Sequence, residues 1–357
     1  MKGRVLVAGF STRHVAQSAF RAGYEVYAVD HFCDQDLSWY TKDRIKFEDL
    51  DDLPDTIDRI SRSHSFDIFV VTSGAEDIPT SLPLCGTSPG KVARFLDKRE
   101  IQRFFEENTV STPGIADGTY PAMIKPLRGA GGWRNEVIRS GSGLSAWEKR
   151  NPDTPYLLQE FVPGTPASVS CIANGSEARA VATNEQILRG NGESSFGFCG
   201  SITPFLHPLA GQMIAIAEKV AARSGCIGSV GIDFVISCDT PYAIEINPRF
   251  QGTVDTVEMA TGCNLFQEHI DACTGILPAT VSIPEKFAAR SILFADRDLT
   301  IGSDLRTLAP MVADIPWPGT FFEQDQAVVS VYGTGATRKT ALAELDRHIS
   351  TVRQYIR

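Results

Sequence analysis

The stretch from Gly231 to Arg249 constrains this chain more than any other. It reads as a β-hairpin: Gly231-Ile-Asp-Phe-Val-Ile-Ser, then Cys-Asp-Thr, then Pro241-Tyr-Ala-Ile-Glu-Ile-Asn-Pro-Arg249. With the turn centred near Asp239, Asp233 lies opposite Glu245. Side chains alternate along a strand, so Glu245, Asn247 and Arg249 share one face while Ile244 and Ile246 take the other. Two carboxylates facing each other across a ladder have Cβ atoms roughly 4.5–5.5 Å apart and repel. In so apolar a setting, a cation between them removes the conflict. A set of hard oxygen ligands including an amide points to Mg²⁺, which usually arrives with the phosphates of a nucleotide. A solvated charged face also accounts for the carboxylates, but not for Asn-Pro-Arg directly beyond them.

At 357 residues the chain is long enough for two or three domains with real cores. A net charge of −9 argues against nucleic acid as a partner. No apolar run reaches the length of about 18 residues that a membrane helix needs. The apolar run after Met-Lys-Gly-Arg is too brief for a signal peptide. Eight cysteines occur without a Cys-x-x-Cys pair, so neither zinc nor a disulfide framework is expected. The expected location is cytoplasmic.

Residues 4–9 read as a strand, and Ser11 or Thr12 can cap the helix that follows. Further strands at 24–29 and 67–72 complete a small doubly wound α/β unit ending near residue 88. Its first turn, Gly9-Phe-Ser-Thr-Arg-His, lacks the G-x-G-x-x-G spacing, which removes dinucleotide binding through Asp30. A helix is expected over 90–107, short strands at 122–125, 136–139 and 156–161, and a helix over 209–224 stopped by Gly225. A helical segment follows over 253–275, then strands near 290–295 and 327–332. Leu342, Leu345, Ile349, Val352 and Ile356 mark a final amphipathic helix for core packing.

A second constellation is Met123-Ile-Lys-Pro-Leu-Arg-Gly-Ala-Gly-Gly-Trp133. Here a strand delivers Lys125, and a glycine-rich loop offers backbone N–H groups to phosphates. It lacks the G-x-x-x-x-G-K-[ST] spacing of the Walker loop. Upstream stands Leu96-Asp-Lys98. Downstream, Tyr156-Leu-Leu-Gln-Glu-Phe-Val-Pro-Gly164 is a strand whose backbone at Glu160 and Val162 can meet an adenine edge, with Phe161 or Leu158 against the ring.

Taken in order, Asp-Lys, Ile-Lys-Pro-…-Gly-Gly, Leu-Gln-Glu-Phe-Val-Pro-Gly, Gly-Ile-Asp-Phe and Glu-Ile-Asn-Pro-Arg-Phe resemble the ATP-grasp superfamily. That superfamily includes biotin carboxylase and carbamoyl phosphate synthetase. The resemblance is strongest to an uncharacterised group of predicted ATP-dependent carboligases from methanogens and methylotrophs. It implies an ATP-grasp fold, mixed α/β and α+β. A pre-ATP-grasp domain would occupy 1–88, an ATP-grasp helix and small lid subdomain 89–162, and a C-terminal antiparallel-sheet domain 163–357.

The resemblance further implies an ATP-dependent ligase that makes an acyl phosphate from a carboxylate, for an amine or thiol to attack. Asp233, Glu245 and Asn247 would hold Mg²⁺, with Mn²⁺ as a substitute. Lys98 and Lys125 would neutralise phosphates under a lid of Gly129, Gly131 and Gly132, while Glu160, Phe161 and Val162 border the base. Arg249 would stabilise the transferring phosphoryl group, with Lys125 as the second catalytic cation. Trp133, Arg134 and Ser168 depart from the pattern of many relatives. The implied partners are ATP and small carboxylate and amine substrates, and a homodimer is the default assembly.

The acceptor site is less legible. Candidates are Ser11, Thr12 and Arg13 at a helix start, Glu76 and Asp77, Asn184–Gln186, Phe198–Ser201, Gln251 and Glu258. His207 and His269 read as structural. Two other functions fit the same ATP site: a bicarbonate-activating carboxylase, and a nucleotide-binding regulatory protein without turnover.

Overall fold

The computed structural model describes residues 2–129, 131–132, 134–190, 196–279 and 283–356. The N-terminal unit is a four-stranded parallel sheet. Its strand order is Asp43–Lys46, Glu25–Asp30, Arg4–Gly9 and Ile68–Val71. Both faces of Arg4–Gly9 are covered, which explains its unbroken apolar run. Val5 and Val7 pack with Val15, Ala16 and Ala19 of the helix Arg13–Arg21. The intervening Leu6 and Ala8 pack with Leu53, Ile57 and Ile60 of the helix Leu53–Ser63 on the opposite face. The first of these clusters continues into Phe250, Val254, Val257 and Phe266, so the N-terminal unit shares a core with the rest of the chain.

A three-stranded sheet of Glu136–Ile138, Ala122–Pro126 and Tyr156–Glu160 carries Lys125 and the glycine loop. The helix Gly141–Arg150 seats Trp147 against Ile124 and Ile138.

The body is one eight-stranded antiparallel sheet. It runs from Thr240–Asn247 through Ile227–Ser237, Thr165–Asn174, Ala178–Leu188, Phe198–Thr203, Phe287–Phe294 and Ala327–Gly335 to Val312–Ala313. The helix Ala210–Ser224 buries Met213, Ala217 and Val220 against Val169, Val230, Ile232 and Phe234. It ends at Gly225 with φ 68°, a left-handed cap that glycine adopts without a Cβ penalty. The C-terminal helix Arg338–Tyr355 packs the expected stripe into its own core: Leu345 and Val352 are fully buried, with Leu342, Ile349 and Ile356 beside them. Among the described residues no helix is long and apolar enough to cross a membrane.

Several expectations are corrected. The helix over 90–107 is broken: Pro89–Val92 leads into a short 3₁₀ turn, and Asp97 is extended and caps a new helix, Lys98–Glu107, through the Arg99 N–H. Lys98 is therefore the first residue of a helix. The segment 253–275 is two helices, Val254–Thr261 and Leu265–Cys273, parted by Gly262 at φ 71°. Strands Thr165–Asn174 and Ala178–Leu188 occupy a stretch where no strand was expected, because their Ala, Ser and Thr content carries little propensity signal. Cys85 and Cys273 form a disulfide across 188 residues of sequence, against the expectation of none, because proximity at that separation is a tertiary fact. Thr12 stands at the helix start, but its hydroxyl and N–H both donate to Asp30 instead of capping.

Candidate functional site

The hairpin turn is tighter than its sequence suggests. Ser237 pairs with Thr240, and Cys238 takes a left-handed conformation at φ 51°. Continued at that register, Asp233 would face Ile244. A β-bulge intervenes, so Asp233 pairs with Glu245, Ile232 with Ile246 and Gly231 with Asn247. The expected carboxylate pair is therefore present, produced by a two-residue turn plus a bulge. The bulge also corrects the placement of Ile244, which lines the same cavity as Glu245 while Ile246 lies in the core.

Asp233, Glu245, Asn247, Lys98, Lys125 and Arg249 converge on one cavity of about 520 Å³. Each oxygen of Asp233 accepts an amide: Gln186 Nε2 at 3.0 Å and Asn247 Nδ2 at 3.1 Å. Burial and the Glu245 carboxylate nevertheless push the Asp233 carboxyl up to about 7. Lys98 Nζ lies 3.7 Å from Glu245 and donates to the Gly129 carbonyl at 3.0 Å, tying the helix start to the glycine loop. Lys125 is buried, which draws its ammonium down to about 8 against the pull of Glu245. Two carboxylates and two ammonium groups thus face each other across a desolvated space.

Gly131 and Gly132 border the cavity, and Gly129 reaches it through Lys98. Gly132, at φ 73°, lies so close to the Phe196 carbonyl that any Cβ would collide with it. Ala130 and Trp133 of the same loop lie outside the described residues. Glu160, Phe161 and Val162 also line the cavity, with Met123, Leu188 and Ile244 as apolar walls.

Arg249 ends the row of polar residues. Its Nε donates to Glu76 at 2.7 Å, and a terminal nitrogen donates to Asn247 Oδ1 at 3.0 Å. Arg249 also borders a second cavity of about 240 Å³, which includes Phe10, His14, Phe32, Asp34, Phe322 and Arg290.

The acceptor candidates divide. Glu76, Gln186, Phe198 and Gln251 reach the site: Glu76 through Arg249, the others as cavity walls. Ser11 borders the second cavity. Asp77 stands 3.8 Å from Arg128 and lines neither cavity. Thr12 is committed to Asp30. Arg13 is not a substrate contact, because it is buried in a bidentate pair with Asp255 and a further bond to Asp314. Asn184 is locked to Ser168, Ser170 and Thr203, and Glu185 pairs with Arg338. Cys199 and Gly200 bond or pair within the sheet, and the Ser201 hydroxyl bonds to Thr256 of the helix Val254–Thr261. Glu258 is buried against Ser18, away from both cavities.

His269 accepts from the Ser229 N–H and contacts the Cys85 carbonyl, and His207 accepts from the Leu209 N–H, so both are structural as expected. No site role was expected for His14, Asp34 or Arg290, and Asp314 stood out only within Ala313-Asp-Ile-Pro, which resembles the closing portion of ATP-grasp ligases. The four come from separate segments of the chain.

The sequence profile of the ATP-grasp domain matches residues 95–253. The chain is 24% identical over 355 residues to the uncharacterized protein MJ0776 of Methanocaldococcus jannaschii, covering 92% of this chain and 87% of that one. It is 25% identical over 279 residues to the carbamoyl phosphate synthase large chain of Myxococcus xanthus, 70% of this chain but only 26% of that protein. In structure it is similar to the biotin carboxylase domain of the Hydrogenobacter thermophilus 2-oxoglutarate carboxylase, solved with MgADP, ADP and bicarbonate. The TM-score is 0.79 at 15% identity, over 99% of this chain and 90% of that one.

Proposed function

Because this chain carries an ATP-grasp domain and fold, we propose that it is a ligase that activates a carboxylate as an acyl phosphate and joins it to an amine. The observation that carries this reading is the position of Arg249. It stands between a large cavity bearing paired carboxylates and lysines and a smaller one walled by aromatic rings.

The donor set fits a divalent ion. Asp233 and Glu245 oppose each other with Asn247 next on the same face, and burial together with the facing Glu245 carboxylate raises the Asp233 carboxyl. Mg²⁺ held there supplies charge neutralisation for the phosphates of ATP. The protein's own groups do the rest by positioning. Lys125 and Lys98 meet the phosphates from the strand and from the helix start. The glycine loop covers them and excludes water. The backbone at Glu160–Val162 borders the base, and Met123, Leu188 and Ile244 pack its faces.

Arg249, anchored by Glu76 and Asn247, presents its remaining N–H groups where a γ-phosphoryl passes to a carboxylate oxygen. The carboxylate oxygen bonds to phosphorus, the bridging P–O bond breaks, and ADP leaves with that electron pair. The acyl phosphate formed lies at the border of the second cavity.

A hydroxylamine trap tests this. Protein, Mg-ATP and hydroxylamine are incubated with a panel of organic acids, and hydroxamate and ADP are scored. Acid-dependent hydroxamate is the expected result. A bicarbonate-activating carboxylase is the second reading, favoured by the similarity to the 2-oxoglutarate carboxylase domain solved with bicarbonate. ADP release that needs bicarbonate and no organic acid would select it.

A further inference from the structure

The second cavity has a chemistry of its own. Phe10 and Phe32 stand edge to face at 5.2 Å, yet stay 38% and 36% exposed where they border it. Large apolar rings left open at a cavity wall await an apolar occupant. Behind them, Arg13 is flanked by the carboxylates of Asp36, Asp255 and Asp314, and Arg290 by those of Asp314 and Asp255.

The guanidiniums are already committed. Arg13 is held by Asp255 and Asp314. Arg290 donates from Nε to Ser330, and from its terminal nitrogens to the Gly252 carbonyl and Asp314. Asp30 accepts four donors, from Thr12, Phe32 and Cys33. Asp36 accepts the N–H groups of Asp314 and Ile315.

Two titratable side chains at the cavity remain without a hydrogen bond to any described residue. Asp34 is one, with burial and the neighbouring carboxylates of Asp314, Asp30 and Asp36 raising its carboxyl well above the ordinary range. His14 is the other. It is only 8% exposed, and its imidazole is kept neutral by burial, which draws it down to about 4. An anion is the wrong guest for an unpaired carboxylate beside a neutral imidazole, whereas a hydrogen-bonding cation satisfies both.

Resting on the ligase reading above, we infer that this second cavity binds the amine substrate as a primary ammonium on an apolar, ring-sized body, with Asp34 and His14 holding the nitrogen and Phe10, Phe32 and Phe322 enclosing the body. At about 240 Å³ the space suits a guest smaller than a nucleotide. Its border at Arg249 puts this cavity beside the acyl phosphate. Asp34 takes one proton from the ammonium, freeing the lone pair. The nitrogen then bonds to the acyl carbon and the C–O bond to phosphate breaks. Phosphate leaves with that electron pair and takes the second proton, giving an amide and hydrogen phosphate.

The test is calorimetric binding of benzylamine, benzyl alcohol and benzoate to the full chain, with ATP affinity measured on the same samples. Benzylamine is expected to bind at least tenfold tighter than either isostere. Asp34→Asn is expected to abolish that preference while leaving ATP affinity within twofold. If Asp34→Asn does not fold, Phe32→Ala replaces it, and weaker benzylamine binding is expected. Equal or tighter binding of benzoate, no saturable benzylamine binding, or an undiminished amine preference in Asp34→Asn would overturn the inference. Because binding is read without turnover, a protein that proves to be a carboxylase can still show the amine preference. Hydroxamate formation without that preference would retain the ligase and remove this amine site.

Discussion

Arg249 Nε donates to Glu76 Oε1 at 2.7 Å, joining residues 173 positions apart, and the second Glu76 oxygen accepts the Gly74 N–H at 2.6 Å. A loop of the N-terminal sheet thus orients the arginine that ends the carboxylate-bearing hairpin. Glu76→Gln keeps a hydrogen-bond acceptor but loses the charge. Turnover with Mg-ATP and the substrate acid should fall by about 10–100-fold, as expected for a misoriented transition-state contact. ATP affinity should change less than twofold. An equal loss in both would show that Glu76 serves the nucleotide cavity as a whole.

Glu245→Ala or Lys125→Ala should abolish ATP-dependent turnover, at least ~10²-fold, because each removes a charge set against the phosphates or their metal. Thermal melting should change little, since neither belongs to a hydrophobic cluster. Normal activity in Glu245→Ala would sink the assignment of the metal site.

The bulge makes neighbouring isoleucines behave differently. Ile244→Ala, in the cavity wall, should raise the KM for ATP several-fold with little effect on folding. Ile246→Ala, 1% exposed in the core, should cost about 2–5 kcal/mol in denaturant unfolding. Equal destabilisation by both would contradict the bulged register.

Burial draws the His269 imidazole down to about 4 from an ordinary value of 6.5. A histidine with a depressed pKa contributes stability that is present above the unfolded value and lost as pH falls through the folded one. Stability should therefore decline between pH 6.5 and 4, with His269 accounting for on the order of 3 kcal/mol. His269→Gln should flatten that decline in urea titrations. A titration of His269 near 6.5 by NMR would refute the prediction.

Non-reducing alkylation of the denatured chain should label six cysteines, leaving Cys85 and Cys273 joined. Labelling of all eight in protein purified without reductant would remove the disulfide.

Local order in the sequence determined a good deal. Alternation along Gly231–Arg249 put Asp233, Glu245 and Asn247 on one face, because strand side chains have a period of two whatever surrounds them. The 3-4 spacing from Leu342 to Ile356 likewise specified a helix and its buried stripe, and Gly225 specified where Ala210–Ser224 stops. Lys125 before a glycine run announced a strand and a phosphate-sized loop for the same local reason.

What crosses the chain had no local signal. The bulge that turns Ile244 into the cavity depends on the turn closing at Ser237 and Thr240. The extended Asp97 that restarts the helix at Lys98 is set by where its cap and the Leu127 carbonyl meet it. Glu76 meets Arg249, Cys85 meets Cys273, and His14, Asp34, Arg290 and Asp314 assemble from four segments only when the parallel sheet packs on the antiparallel one. Periodicity reports which way a side chain faces. Only the packing of separate elements decides which other side chains it meets, because the burial that drives packing is non-directional and leaves no mark on residue spacing.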